Sequence, residues 1–170
     1  EEDWDNLVIL DACRFDTFRD RGKQLPGKLE KRESKAGDTP EFLRHNFQSR
    51  DLQDTIYLTA NPQLHRNKKE IDVDFFQEYQ VWIDNWAENY DTVKPNVVTE
   101  KTLSVAEEYP NKRLIIHYLQ PHAPYIGPTG KELPKDYLNF WSSFTAGKFD
   151  IDLETAKQAY SENVKIMIPH

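Results

Sequence analysis

Cysteine is almost absent from this chain. Cys13 stands alone, which excludes an internal disulfide and any cysteine-rich zinc site. Long apolar runs are missing too: the longest, Leu7–Leu10 and Leu114–Ile116, have the length of short strands. A membrane-spanning helix needs roughly 20 such residues, so no membrane span is expected. Positive charge is in deficit, with 22 Lys and Arg against 29 Asp and Glu and a net charge of −7. That balance argues against general affinity for nucleic acid or an anionic membrane. It leaves room for a small anionic substrate wherever a bound divalent cation inverts the local sign of a site. No leader is legible at the Glu1-Glu2-Asp3 start, and a cytoplasmic location is expected.

What the chain does have is enough apolar and aromatic residue, 38% and 12%, to build a core across 170 positions. Asn6-Leu-Val-Ile-Leu-Asp11 reads as a strand buried on both faces and ending in an acid. Thr39-Pro40-Glu41 reads as a helix start, with Thr39 as N-cap and Pro40 as first helical residue. Thr55–Thr59 is a second strand, broken by Asn61-Pro62. Pro95 opens a helix that runs to Tyr109, and Arg113–Leu119 is a third strand closed by Pro121. Residues 120–149 read as a long loop, and residues 152–167 as a helix with Leu153, Ala156, Ala159 or Tyr160, and Val164 on one face. Trp82 and Trp86, four apart, suggest one helix face buried in the core. Strands alternating with helices predict an α/β fold, a mostly parallel sheet flanked by helices. Three strands are few for a closed domain, so an incomplete one is expected.

Open α/β sheets bind ligands beyond the carboxyl ends of their strands. The first strand delivers Asp11 there, followed by Ala-Cys-Arg-Phe-Asp16. A carboxylate fixed at a strand end suits a divalent metal, although Asp11 could equally cap the next helix. The third strand delivers His117, Gln120 and His122. His117 lies inside the strand and reads as a core residue with its nitrogens satisfied. His122 sits between two prolines, which restrain its backbone; it reads either as a ring aimed into a cleft or as a surface-loop histidine. Thr39 would place a hydroxyl in the positive field of a helix N-terminus, which favours an alkoxide and an incoming phosphate, or else it serves only as the cap.

Asp5-Asn-Leu-Val-Ile-Leu-Asp-Ala-Cys-Arg-Phe-Asp16 resembles the opening strand and first metal-binding aspartate of the alkaline phosphatase/sulfatase superfamily. His117-Tyr-Leu-Gln-Pro-His-Ala-Pro-Tyr125 resembles that superfamily's later strand ending in His-x-Pro-Tyr/Phe. The wording is similar to sulfatase-like proteins found mainly in archaea. This resemblance implies an alkaline phosphatase-like fold and a chain, 1–170, that forms the N-terminal portion of one sulfatase-like α/β domain. It implies Asp11 as metal ligand, Thr39 as the catalytic nucleophile with Ser34 as alternative, and His122 in contact with the transferring group. Arg14 and Tyr125 would help bind the substrate, and the loop aromatics Tyr125, Tyr137, Phe140, Trp141 and Phe144 could line its mouth. The cofactor would be divalent metal, whether zinc, manganese, magnesium or calcium.

Sulfatases proper carry Cys-x-Pro-Ser-Arg, whereas Cys13 is followed by Arg-Phe-Asp. Cys13 is therefore read as a structural thiol, and phosphate esters are favoured over sulfate esters. The superfamily completes its metals with a later Asp-His pair that this sequence does not contain before His170, so a truncated and inactive fragment is expected. A different class of function is a non-catalytic α/β binding or interaction module that kept the fold and lost the metals. A haloacid-dehalogenase-type site would need Asp-x-Asp, and Cys13 occupies that place. No glycine-rich turn follows the first strand, which argues against a dinucleotide-binding domain.

Overall fold

A computed structural model describes residues 3–134 and 140–170. Four parallel strands, β1 (Asn6–Leu10), β2 (Asp51–Thr59), β3 (Asp74–Gln80) and β4 (Arg113–Tyr118), form one sheet in the order β1-β4-β2-β3. The helices are α1 (Phe15–Arg21), α2 (Thr39–Phe47), α3 (Gln63–Arg66), α4 (Lys68–Ile71), α5 (Pro95–Glu108), α6 (Phe140–Thr145) and α7 (Leu153–Met167). The α/β class follows directly from this alternation. None of the helices among the described residues is long and apolar enough to cross a membrane.

Side chains alternate across the two central strands, as the period of two requires. Ile56 and Leu58 of β2, with Leu114 and Ile116 of β4, pack under Val98 and Val105 of α5. Tyr57 and Ile115 point the other way, toward Leu43 and Phe47 of α2, Leu64 of α3 and Ile71 of α4. His117 shares that second face, its ring 6.1 Å from that of Tyr57. A third apolar cluster joins Ala123, Tyr125, Leu133 and Phe140 to Ala156, Ala159, Tyr160 and Val164 of α7. The segment expected to be a plain loop therefore packs its apolar residues against the last helix, and it contains α6 and a 3-10 turn at Gly130–Glu132.

Several expectations change. The sheet has four strands rather than three. β3 was hidden because Asp74-Phe-Phe-Gln-Glu-Tyr-Gln80 is polar and charged, as befits an edge strand wetted on one side. β1 is an edge strand rather than a doubly buried one, and its Val8 is 54% exposed. A short apolar run cannot distinguish edge from centre by itself. Trp82 and Trp86 do not share a helix: residues 81–84 form a turn, and Trp86 is exposed beside the Ala87–Thr92 bridge. Leu153 is exposed at the first turn of α7 rather than part of its buried stripe.

Candidate active site at the carboxyl edge of the sheet

Three parallel strands deliver polar residues to one edge. β1 ends immediately before Asp11, β2 before Ala60-Asn61, and β4 carries His117 near its end and leads to His122. The β1–β4 register sets Ile9 opposite His117, and the β2–β4 register sets Thr59 opposite His117. Asp11 and Asn61 must therefore flank His117, because adjacent parallel strands lie only about 4.8 Å apart.

The Asp11 carboxylate is the hub. Thr39 Oγ1 lies 3.2 Å from each of its oxygens and donates to them. Asn61 Nδ2 donates to Oδ2 at 2.5 Å. His117 Nε2 lies 3.9 Å from the same oxygen, beyond hydrogen-bond distance. The Asp11 side chain is 11% exposed, so one side still opens to solvent. Asp11 does not cap the following helix: Arg14 occupies the N-cap position of α1, without a side-chain cap bond.

Thr39 is not an N-cap. Asp38 fills that position, its carboxylate accepting from the Glu41 backbone N–H at 2.8 Å, and Thr39 is the first helical residue with Pro40 next. The correction has a chemical consequence. Relieved of capping, the Thr39 hydroxyl is turned to Asp11 while it remains in the positive field of the helix start. Ser34 is placed differently: its exposed hydroxyl is engaged with the backbone of Ala36.

His117 is fully buried, and its nitrogens are not both satisfied. Nδ1 meets the Tyr57 hydroxyl at 2.6 Å, whereas Nε2 has no hydrogen-bond partner among the described residues. Burial lowers the pKa of the imidazole despite the opposing pull of Asp11, so the ring is neutral and carries one N–H. Burial also pushes the Tyr57 phenol up, so it remains protonated. A proton on Nε2 presents a positive edge to the carboxylate and leaves Nδ1 to accept from Tyr57. The other tautomer would turn the Nε2 lone pair toward Asp11. Tyr57→Phe keeps the ring packed on Phe47 and Phe75 but strands Nδ1. Denaturant unfolding should show a loss of about 1–3 kcal/mol for that buried unmet acceptor. An unchanged unfolding midpoint would show that the Tyr57–His117 bond carries nothing.

His122 is half-buried and held from two directions. Its backbone N–H donates to the Asp11 carbonyl at 3.0 Å. Asn163, buried on α7, donates from Nδ2 to the carbonyls of Pro121, His122 and Pro124, and its Oδ1 accepts from the Ile126 N–H. The ring's Nδ1 contacts the Ala123 carbonyl at 2.6 Å. A carbonyl only accepts, so Nδ1 holds a proton and Nε2 is the nitrogen left for a ligand.

Arg14 and Tyr125 border a cleft next to His122 rather than the Asp11 hub itself. The Arg14 guanidinium is paired with Asp16 at 2.6 Å and is largely exposed. That pairing holds the Asp16 carboxyl down to about 2. Tyr125 is buried against Phe140, ring to edge at 5.2 Å, and Phe144 stacks on Phe140. Tyr137 and the side chain of Trp141 lie outside the described residues. Burial, with Asp16 nearby, pushes the Cys13 thiol up to about 11, consistent with a structural and unreactive thiol.

Four residues of this arrangement escape a reading of the sequence. Asn61 serves there only as a strand breaker, although it follows β2 as Asp11 follows β1, and the strand-end rule applied to every strand would have singled it out. Tyr57 and Tyr160 look like ordinary core aromatics, and Asn163 is one polar position on an amphipathic helix. No local signal marks them.

Asp11 and Thr39 bring three oxygens together, and the orphaned His117 Nε2 lies 3.9 Å from one of them. That donor chemistry suits a hard or borderline divalent ion. Among the described residues no group of three or more His, Cys, Asp or Glu side chains is gathered, so a metal held here would need ligands beyond Asp11 and Thr39. No family model, curated protein or solved structure matches the chain.

Proposed function

We propose that the chain carries the nucleophile of a metal-dependent hydrolase or transferase of the alkaline phosphatase/sulfatase type, acting on phosphate rather than sulfate esters. One observation carries the reading: Thr39 Oγ1 is 3.2 Å from both oxygens of Asp11, at the N-terminus of a nine-residue helix and at the carboxyl edge of a parallel sheet. A hydroxyl so placed has its proton aimed at a carboxylate and its oxygen in the positive field of a helix start, as an attacking oxygen needs.

The steps follow from the residues. Thr39 Oγ1 attacks phosphorus and its proton leaves toward Asp11. The bond from phosphorus to the ester oxygen breaks, and the departing alcohol takes up a proton. Water, or a second alcohol, then displaces Thr39 from phosphorus, which returns the hydroxyl and yields phosphate or a new ester. Asn61 Oδ1 is taken up by the Gln63 N–H, so beside Asp11 the amide has only the second N–H of Nδ2 to offer an ester oxygen, and His122 would donate to the transferring group from Nε2 only with protons on both ring nitrogens. Asp11 and Thr39 would hold a divalent cation there, which would supply charge neutralisation for the ester oxygens and acidify the attacking hydroxyl.

Chelation of the natural full-length protein should abolish turnover of phosphate monoesters and diesters, and zinc, manganese, magnesium or calcium should restore it. Sulfate esters should turn over more slowly. Activity indifferent to chelation would sink the metal reading. Failure on every ester with each metal supplied would leave a binding module.

A further inference from the structure

A cleft of about 960 Å³ opens between α1, α7 and the loop after β4, and both Ala12 and His122 form part of its wall. Its inner end therefore lies one residue from Asp11 and beside the ring assigned above to the transferring group. A phosphoryl group would occupy only a small fraction of that space, and the volume is in the range of pockets that enclose drug-sized molecules.

The cleft is built rather than incidental. Ala12 has a left-handed backbone, φ +58, which is costly for a residue with a Cβ. Tyr160 holds that turn: its hydroxyl donates to the Ala12 carbonyl at 2.8 Å and accepts from the Arg14 N–H at 2.7 Å. The same residue thus fixes the Asp11–Arg14 turn to α7 and presents its ring to the cleft. Tyr125 meets it edge-on at 6.4 Å and Phe140 meets Tyr125 at 5.2 Å, which makes the floor aromatic. Leu153, Lys157 and Ser161 recur at helical spacing along α7 and form one side.

Charge on the wall nearly cancels. Arg14 is paired with Asp16, Asp20 with Arg19, and Lys157 with Glu154. A second phosphate or other polyanion would meet Asp16 and Asp20 there, set against Arg21, whose guanidinium donates to Ser161 Oγ at 3.0 Å. An aromatic floor with a balanced polar rim suits a bulky, ring-bearing and largely uncharged group.

We infer that this cleft receives the organic part of the substrate, so that the ester is one of a large, ring-bearing apolar alcohol rather than a small or polyphosphorylated one. The inference rests on the ester-hydrolase reading above, and two non-hydrolysable probes separate them. Methylphosphonate reports the phosphoryl site alone, and 2-naphthylmethylphosphonate reports the site together with the cleft. Titration calorimetry on the metal-loaded full-length protein should show the naphthyl compound binding more than about tenfold tighter, given the apolar area it buries.

Two variants locate the effect. Ser161→Trp fills the cleft, and Leu153→Asp puts a charge at its mouth on an exposed first-turn position that tolerates acid. In each, the ratio of the two affinities should fall toward one. Equal affinities in the unaltered protein would overturn the inference while leaving the phosphoryl site standing. A tight naphthyl complex indifferent to both variants would place the apolar group elsewhere and overturn it equally. If neither probe binds, the ester-hydrolase reading falls and the inference falls with it.

Discussion

Thr39→Ala is expected to lower turnover by at least about 10³-fold while the protein unfolds at nearly the same temperature, because removal of a nucleophile is among the most damaging single changes an active site can suffer. The two halves of that expectation come from the same local geometry. The helix keeps its cap, since Asp38 and not Thr39 accepts from the Glu41 N–H. What disappears is a half-buried hydroxyl bonded to Asp11, together with the γ-methyl beside it. Thr39→Ser retains that hydroxyl and should retain measurable turnover. Rapid acid quench followed by peptide mass analysis should find phosphate on residue 39 in the parent protein and none in the alanine variant. Full activity in Thr39→Ala would require another nucleophile, and the exposed Ser34 hydroxyl would be the next to test.

Asp11→Asn should reduce turnover by a similar factor, on the order of 10³-fold, and its combination with Thr39→Ala is the more telling experiment. Asparagine preserves the shape of the side chain but removes the charge and replaces one acceptor oxygen with a donor. Thr39 Oγ1 and Asn61 Nδ2 both donate to the present carboxylate, and the amide can accept from both only with its single oxygen in the Oδ2 place. If Thr39 and Asp11 act as one unit, the double variant should be no worse than the poorer single variant. Losses that multiply would show two independent roles, and the shared-site reading would fail. Equilibrium metal binding gives a second readout, since Asp11→Asn should weaken binding of a divalent ion and Thr39→Ala should weaken it less.

Much of this edge was legible before any coordinates. The apolar run ending in Asp11 and the Pro-His-Ala-Pro segment are patterns with a physical cause: a strand end holds a side chain in place, and flanking prolines restrain a loop. The fold class followed from alternation alone. The residues that complete the arrangement were not legible. Asn61 reads as a strand breaker and His117 as a core residue with its nitrogens satisfied, whereas its Nε2 is orphaned beside a carboxylate, and nothing in the sequence singles out Tyr57. Thr39 was assigned the capping role that belongs to Asp38, because Asp38 and Thr39 are both good caps and the sequence does not say which takes the extended conformation. β3 is hidden by its polarity, and the apolarity of β1 reads as burial on both faces, whereas it lies at the sheet edge.

Period, punctuation and composition are local, so the sequence by itself determined the α/β class, the approximate places of β1, α2, β2, α5, β4 and α7, the absence of a membrane helix among the described residues, and which acids and histidines stand at strand ends. Strand order is not local. Only the tertiary structure decided that β4 lies between β1 and β2, and this order brings Asp11, Asn61 and His117, separated by as many as 106 positions in the chain, to adjacent strand ends. It likewise decided that α7 returns to clamp His122 through Asn163 and the turn after Asp11 through Tyr160. Pairing energies are similar for many strand orders, and packing of the whole set of apolar faces selects one of them. The chemistry of the edge is therefore written in individual residues, and its geometry in how the core closes.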